Sequence, residues 1–384
     1  MLKAIVGHSN DPETDVAIAE VLEQCLTELA DIKPQAGILL AALDFDHAQM
    51  LRCIHQTFPG IQLIGGTTDG EISSVLEFQQ DSLILILFCS DEIEFNAAVG
   101  RHVSSDPIEI AQKTVQTAQA ESHSPTTLCL TTPESLTTSG LSILQGLQQA
   151  LGAEVPIVGG TTCDQWQFQQ TYQFFGQEVL SDALPILLLS GNVLWGHGVS
   201  SGWTAIGKKG MATKVQGNVL YEIDGQPALE FYRDYLGDIR PSPAYRLAVF
   251  EANQDSWYMR TSNGDYDAAS GSITFFADIP LHSEVQVVRA NRDEIVDSAR
   301  LSIQQALEHY SGTQPTVALF FSCTGRMHVL GTRTKEEYQV LQSEIPAGVT
   351  CAGFYTYGEI APLRPNCEAR FHNETFVTLL LGVE

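Results

Sequence analysis

Apolar residues along the chain follow two alternating rhythms. Behind Asp11-Pro12, Asp106-Pro107 and Asp293-Glu294 they recur at helical spacing, as in Val16, Ala19, Leu22, Leu26 and Leu29. Each aspartate supplies an N-cap, and the first two are followed by proline, whose missing N–H costs nothing at the first helical position. Every such helix gives way to a short continuous apolar run that reads as a buried strand, at 37–43, 127–130 and 316–321. A second helix follows (46–57, 136–151, 334–343), then a strand running into a glycine motif, then a further apolar strand (82–88, 184–189, 375–381). The pattern predicts three copies of one α-β-α-β-β unit. Residues 201–292, between the second and third copies, read as mainly β, with strands at 245–250, 257–261, 272–276 and 284–289 and one helix near 227–236. The expected fold is α/β with mixed sheets and a β-rich insert. It divides into an N-terminal half, 1–200, holding two repeats, and a C-terminal half, 201–384, holding the insert and the third.

The glycine motifs tie the copies together. Ile61-Gln-Leu-Ile-Gly-Gly-Thr-Thr-Asp-Gly-Glu-Ile72 and Val155-Pro-Ile-Val-Gly-Gly-Thr-Thr-Cys-Asp164 share an apolar strand ending in Gly-Gly-Thr-Thr. Val349-Thr-Cys-Ala-Gly-Phe-Tyr-Thr-Tyr-Gly-Glu-Ile360 keeps the first copy's spacing of Gly, Thr and Gly-Glu-Ile.

Composition narrows the function. Among 384 residues, 20 Lys and Arg stand against 46 Asp and Glu, a formal charge of −26. The densest basic pair is Lys208-Lys209, so no cluster of cations is present to face a phosphate backbone, and a nucleic-acid partner is excluded. The runs Leu-Ile-Leu-Ile-Leu-Phe and Pro-Ile-Leu-Leu-Leu-Ser are strand-sized, well short of the ~18 residues of a membrane span, and the N-terminus lacks a signal-peptide core. Eight cysteines are scattered without a C-x-x-C, the usage of a reduced, cytoplasmic protein.

The strings Gly65-Gly-Thr-Thr-Asp69, Gly159-Gly-Thr-Thr-Cys-Asp164, Asp224-Gly-Gln-Pro-Ala228 with Tyr232 and Leu236-Gly237, and above all Gly353-Phe-Tyr-Thr-Tyr-Gly-Glu-Ile360, resemble the FIST (F-box and intracellular signal transduction) domain. The likeness runs from about Ala36 to Pro362. It implies a stand-alone cytoplasmic sensor that binds a small polar ligand such as an amino acid and signals in trans to a separate effector, such as a histidine kinase or cyclase. It also implies an alternative, since some bacterial members are haem-based nitric-oxide sensors acting on a partner histidine kinase.

Candidate chemistry follows from the residues. Glycine-flanked turns after buried strands are where open α/β sheets place ligand loops, and Thr67, Thr68, Thr161 and Thr162 offer hydroxyls that donate and accept. Asp69, Glu71, Asp164 and Glu359 can hold an ammonium group, while Tyr355 and Tyr357 can wall a pocket. For a ligand carboxylate, Arg260 is the first candidate and Arg289 the second. Cys163 stands where the first copy has Asp69, which leaves a thiol-dependent enzyme as a further alternative to a non-enzymatic sensor. For haem, His197 in Trp-Gly-His-Gly, His328 and His8 are the best-placed axial ligands. Without that alternative no cofactor is expected.

Overall fold

The computed structural model describes residues 1–238, 245–250 and 257–384. A strand that the apolar rhythm left unassigned opens every unit. Unit one comprises β1 (Leu2–Ser9), α1 (Thr14–Leu29), β2 (Ala36–Ala41), α2 (His47–Thr57), β3 (Gln62–Thr67), a hairpin of β4 (Glu71–Ser73) and β5 (Glu77–Gln79), and β6 (Leu83–Ser90). Unit two repeats this with β7 (Ile93–Arg101), α3 (Pro107–Gln119), β8 (Thr126–Thr131), α4 (Gly140–Leu151), β9 (Ile157–Gly160), β10 (Gln173–Phe175), β11 (Glu178–Leu180) and β12 (Ala183–Gly191). Unit three begins at β13 (Leu194–Ser200), and only then does the β-rich insert intervene. The insert therefore lies inside the third unit, between its first strand and first helix, rather than between units two and three.

The insert holds β14 (Thr204–Ala205), β15 (Gly210–Gln216), β16 (Val219–Ile223), β17 (Gln226–Pro227), α5 (Ala228–Leu236), β18 (Arg246–Phe250), β19 (Trp257–Arg260), β20 (Ser262–Asp267), β21 (Ser272–Phe275) and β22 (Glu284–Arg289). Among the described residues its strands form a nine-stranded sheet around a core of Tyr232, Phe275 and Val287. Unit three resumes with α6 (Arg292–His309), β23 (Val317–Cys323), α7 (Thr324–Leu330), α8 (Lys335–Glu344), β24 (Thr350–Thr356), β25 (Glu359–Pro362), β26 (Ala369–His372) and β27 (Phe376–Gly382).

Each unit builds a mixed sheet whose middle pair is parallel: β2 with β3, β8 with β9, β23 with β24. Each sheet reaches six strands by accepting a hairpin from another unit. Hairpin β10-β11 of unit two joins β3, β25-β26 of unit three joins β9, and β4-β5 of unit one joins β24. The exchange closes a ring of three.

The three sheets pack inner face to inner face. Ile38, Leu40, Leu128, Leu130, Leu319 and Phe321 share one core there. Leu39 and Ala41 point the other way, onto α1 and α2, and units two and three bury their outer faces under helix pairs in the same manner. Burial on both faces explains why the strands read as continuous apolar runs rather than alternating ones. Two local expectations shift. The buried face of α1 is Ala17, Ile18, Val21, Cys25 and Leu29, while Val16 and Leu26 are exposed. Asp106 caps α3 as expected, but Glu13 stands at the start of α1, and α6 is capped by Asn291 in a capping box with Glu294.

Candidate functional site

Each motif's first glycine explains itself by what a side chain there would strike. A Cβ at Gly65 would lie 1.8 Å from the Leu39 carbonyl oxygen, one at Gly159 2.0 Å from that of Thr131, and one at Gly353 2.3 Å from that of Phe320. The three contacts are equivalent: the glycine strand presses against its parallel neighbour. Opposite these glycines sit Phe174, Ile360 and Ile72 of the exchanged hairpins, all fully buried.

The residues after the glycines interlock. Thr67 Oγ1 donates to the Cys163 carbonyl (2.6 Å), and the Cys163 N–H donates to the Thr67 carbonyl (2.8 Å). The Asp69 N–H donates to the Tyr355 carbonyl (3.3 Å), and the Tyr355 N–H to that of Gly70 (2.9 Å). The Thr161 N–H reaches the Gly358 carbonyl (2.9 Å), and Thr356 Oγ1 the Thr161 carbonyl (2.7 Å). All three pairs of loops are thus clasped at one end of the sheets.

That clasp absorbs much of the expected ligand site. Thr68 and Ser82 both donate to the Glu71 carboxyl, and His8 bridges Ser82 and Ser73. Burial pushes Glu71 up to about 8 and His8 down to about 3. Thr162 Oγ1 lies among Pro133, Thr171 and Gln173. Tyr355 is fully buried and donates to Glu337, itself paired with the buried Arg326, and it lines none of the pockets described here. Cys163 is fully buried, with Sγ 3.4 Å from the Tyr355 carbonyl oxygen. Burial, with Asp69 and Cys323 nearby, holds the thiol far above its ordinary range, the opposite of an activated nucleophile.

Unit two departs from the repeat. In units one and three the chain passes directly from the second threonine into the hairpin, Thr68 to Ile72 and Thr356 to Ile360, whereas in unit two it runs from Thr162 to Phe174. Within this longer loop Gln165, Trp166 and Phe168 have φ of 54°, 62° and 50°, a left-handed conformation uncommon for residues other than glycine. Asp164 holds it there. Its carboxylate accepts the N–H groups of Phe168, Gln169 and Gln170 and the hydroxyl of Tyr357 (2.6 Å), which in turn accepts the Trp166 N–H (2.7 Å).

The loop roofs a pocket of ≈ 70 Å³. Phe168 stacks on Tyr357 (centroids 5.1 Å apart) and on Phe276 of the insert (5.5 Å), and Trp166 meets His328 at 5.5 Å. Phe371 completes the aromatic lining, and Thr161, Cys323, Thr324, Asn373 and Glu374 supply the polar part. Glu374 accepts from Thr261 (2.9 Å) and lies 2.6 Å from the buried Arg246, yet its Oε2 has no partner, nor has Asn373 Oδ1. Gly325 makes room for this carboxylate: a Cβ there would be 2.2 Å from Glu374 Oε1. Below lie Asp69, its Oδ2 unpartnered, and Glu359, its Oε1 unpartnered. Burial raises Asp69 to about 7, and burial with Glu374 alongside raises Glu359 well above the carboxylate range.

Of the residues expected from sequence, Thr161 and Tyr357 line this pocket, Asp69, Asp164, Cys163 and Glu359 lie beneath or beside it, and Thr67, Thr68, Glu71, Thr162 and Tyr355 serve the frame. Arg260 opens onto a neighbouring pocket, separated by Phe371, and Arg289 is exposed. The aromatic residues Trp166, Phe168, Phe276 and Phe371, together with Asn373 and Glu374, were not anticipated. The available signal was Asp164-Gln-Trp-Gln-Phe-Gln-Gln170, two large aromatics set in a polar stretch. A haem needs open space beside an axial nitrogen. His197 is buried against Trp195 and His309 and lines none of the pockets described here, so it does not fit a haem.

Models of the FIST N domain and the FIST C domain match residues 35–226 and 228–362. The chain belongs to the FIST family of small-ligand sensory domains of signal transduction. An uncharacterised protein of Methanocaldococcus jannaschii is 32% identical over 105 residues, which cover 26% of this chain and 20% of that protein. An uncharacterised protein of Mycobacterium tuberculosis is 22% identical over 377 residues, covering 93% of this chain and 94% of that one. Among solved structures, a cyanuric acid hydrolase from A. caulinodans aligns over 100% of both chains at 8% identity and a TM-score of 0.42, and a chorismatase over 99% of this chain and 98% of its own at 7% identity and 0.37. No helix among the described residues is long and apolar enough to cross a membrane.

Proposed function

We propose that the chain is a non-enzymatic sensor whose ligand enters the pocket between the Trp166–Phe168 loop and Glu374 and presents a protonated amine to it. The observation that carries this reading is the pair of buried acceptors, Glu374 Oε2 and Asn373 Oδ1, left without partners at the edge of an aromatic pocket. Buried acceptors without donors are costly, and aromatic faces attract cations, so the missing piece is a compact cationic donor. Among the described residues Arg246 is the one cation paired with Glu374, and Glu359 and Asp69, both held toward their protonated forms by burial, add hydrogen-bonding oxygens rather than competing cations. At ~10–15 Å³ for each water-sized group the pocket takes about five to seven of them, the scale of a small amino acid. The ligand-bound state is read in the cytoplasm by a separate effector such as a histidine kinase or cyclase.

A thermal-shift screen of amino acids and simple amines, each beside its N-acetyl derivative, tests this. A specific free amine at 100 times its dissociation constant stabilises the fold by about 2.7 kcal/mol, and its uncharged derivative does not. Equal shifts from both members of each pair, or none from any, would remove the reading.

A further inference from the structure

Three arginines are among the largest fully buried side chains: Arg246, Arg260 and Arg326. Two are neutralised, Arg246 by Glu374 and Arg326 by Glu337. Arg260 differs. Its Nε donates to the Asp278 carbonyl (2.8 Å), its Nη1 to those of Met259 (3.0 Å) and Phe371 (3.4 Å), and its plane lies over the Tyr258 ring at 4.4 Å. These contacts fix the guanidinium in place but bring it no negative charge. Among the described residues no carboxylate comes within 4.0 Å of it, and Nη2 has no hydrogen-bond partner. A buried charge left without a counter-charge costs several kcal/mol, which makes an unfilled place beside it informative.

Such a place is present. Arg260 lines a pocket of ≈ 490 Å³ between the insert and unit three, inside the ~300–1,000 Å³ typical of small-molecule sites. The ionisable groups lining it are Tyr258, Arg260, Arg370, Asp278 and His282. Most of the remaining wall is apolar, including Phe250, Ile279, Leu281 and Phe371. A mostly apolar pocket with the buried Arg260 guanidinium on its wall calls for a ligand with an anionic end and an apolar body.

We infer that this pocket is a second binding site, distinct from the amine pocket, for an organic carboxylate whose oxygens take the free N–H groups of Arg260 Nη2 while its hydrocarbon part lies along the apolar wall. The binding is charge-assisted and specified by the guanidinium's fixed orientation. It does not depend on what occupies the amine pocket.

The test is isothermal titration of the full chain with benzoate, 3-phenylpropionate and hexanoate, against their carboxamides and inorganic phosphate. At least one carboxylate binds, and its carboxamide and phosphate bind at least tenfold more weakly. Arg260→Gln weakens the carboxylate at least tenfold. Because Arg260 is buried and its loss can disturb the fold, Asp278→Asn provides a second variant. Asp278 is exposed, and removing its competing charge tightens the carboxylate several-fold. No binding by any of the three, equal binding of acid and amide, phosphate as tight as the carboxylates, or no gain in Asp278→Asn would each overturn the inference.

Discussion

The turn after the second threonine is built in two ways. In unit one it is short and closed: Thr68, Glu71, Ser82, His8 and Ser73 form a buried chain of hydrogen bonds, and the hairpin leaves at once for the sheet of unit three. In unit two the corresponding turn is long. It holds three non-glycine residues in left-handed backbone and raises two aromatic side chains over unpartnered acceptors. The same starting motif thus yields a joint in one place and a pocket in the other. Where the units agree the residues build the frame, and where unit two breaks the pattern they build the site.

Disturbing the frame gives the largest expected effect. Gly159→Val pushes a branched side chain into the Thr131 carbonyl, forcing two parallel strands apart, and costs ~3 kcal/mol or more in urea unfolding or prevents folding altogether. Retention of wild-type stability would contradict the close approach. Disturbing the site does the reverse. Phe168→Ala, at an exposed position, reduces affinity for the amine about tenfold by removing an aromatic face, while changing stability by less than ~1 kcal/mol. A smaller effect separates the two regions again: Thr67→Val removes the hydroxyl that clasps loop one to Cys163 and costs ~1 kcal/mol of stability, with ligand affinity unaltered.

A further difference lies in pH dependence. Burial raises the Asp69 carboxyl from near 3.8 to about 7. Between those values the folded chain holds a proton that the unfolded chain has released, so stability falls as pH rises through that window. Asp69→Asn, which cannot titrate, flattens that decline when unfolding is followed at a series of pH values. An unchanged slope would show that Asp69 is ionised in the fold.

Much of the frame was legible because its physics is local. Continuous apolar runs marked strands buried on both faces, Asp106-Pro107 marked a helix start, and the glycine motifs marked three equivalent close approaches. The opening strands β1, β7 and β13 were not legible as part of the unit, and with β13 unassigned the insert was placed outside unit three. Nothing local in Glu71–Ser73 indicates that this strand pairs with Gly353 in another unit's sheet. The site was half legible. Tyr357 and Thr161 announced themselves through the motif, whereas Glu374 and Phe276 reach the pocket only through tertiary packing of distant segments. The threonine hydroxyls misled, because side chains able to bind a ligand are equally able to bind the neighbouring loop's carbonyls.

The most direct measurement is a crystal structure of the chain with the tightest-binding amine from the thermal-shift screen. The ligand is expected beneath Trp166 and Phe168, its nitrogen within hydrogen-bond distance of Glu374 Oε2. An amine ordered anywhere else, with Glu374 still unpartnered, would contradict this placement.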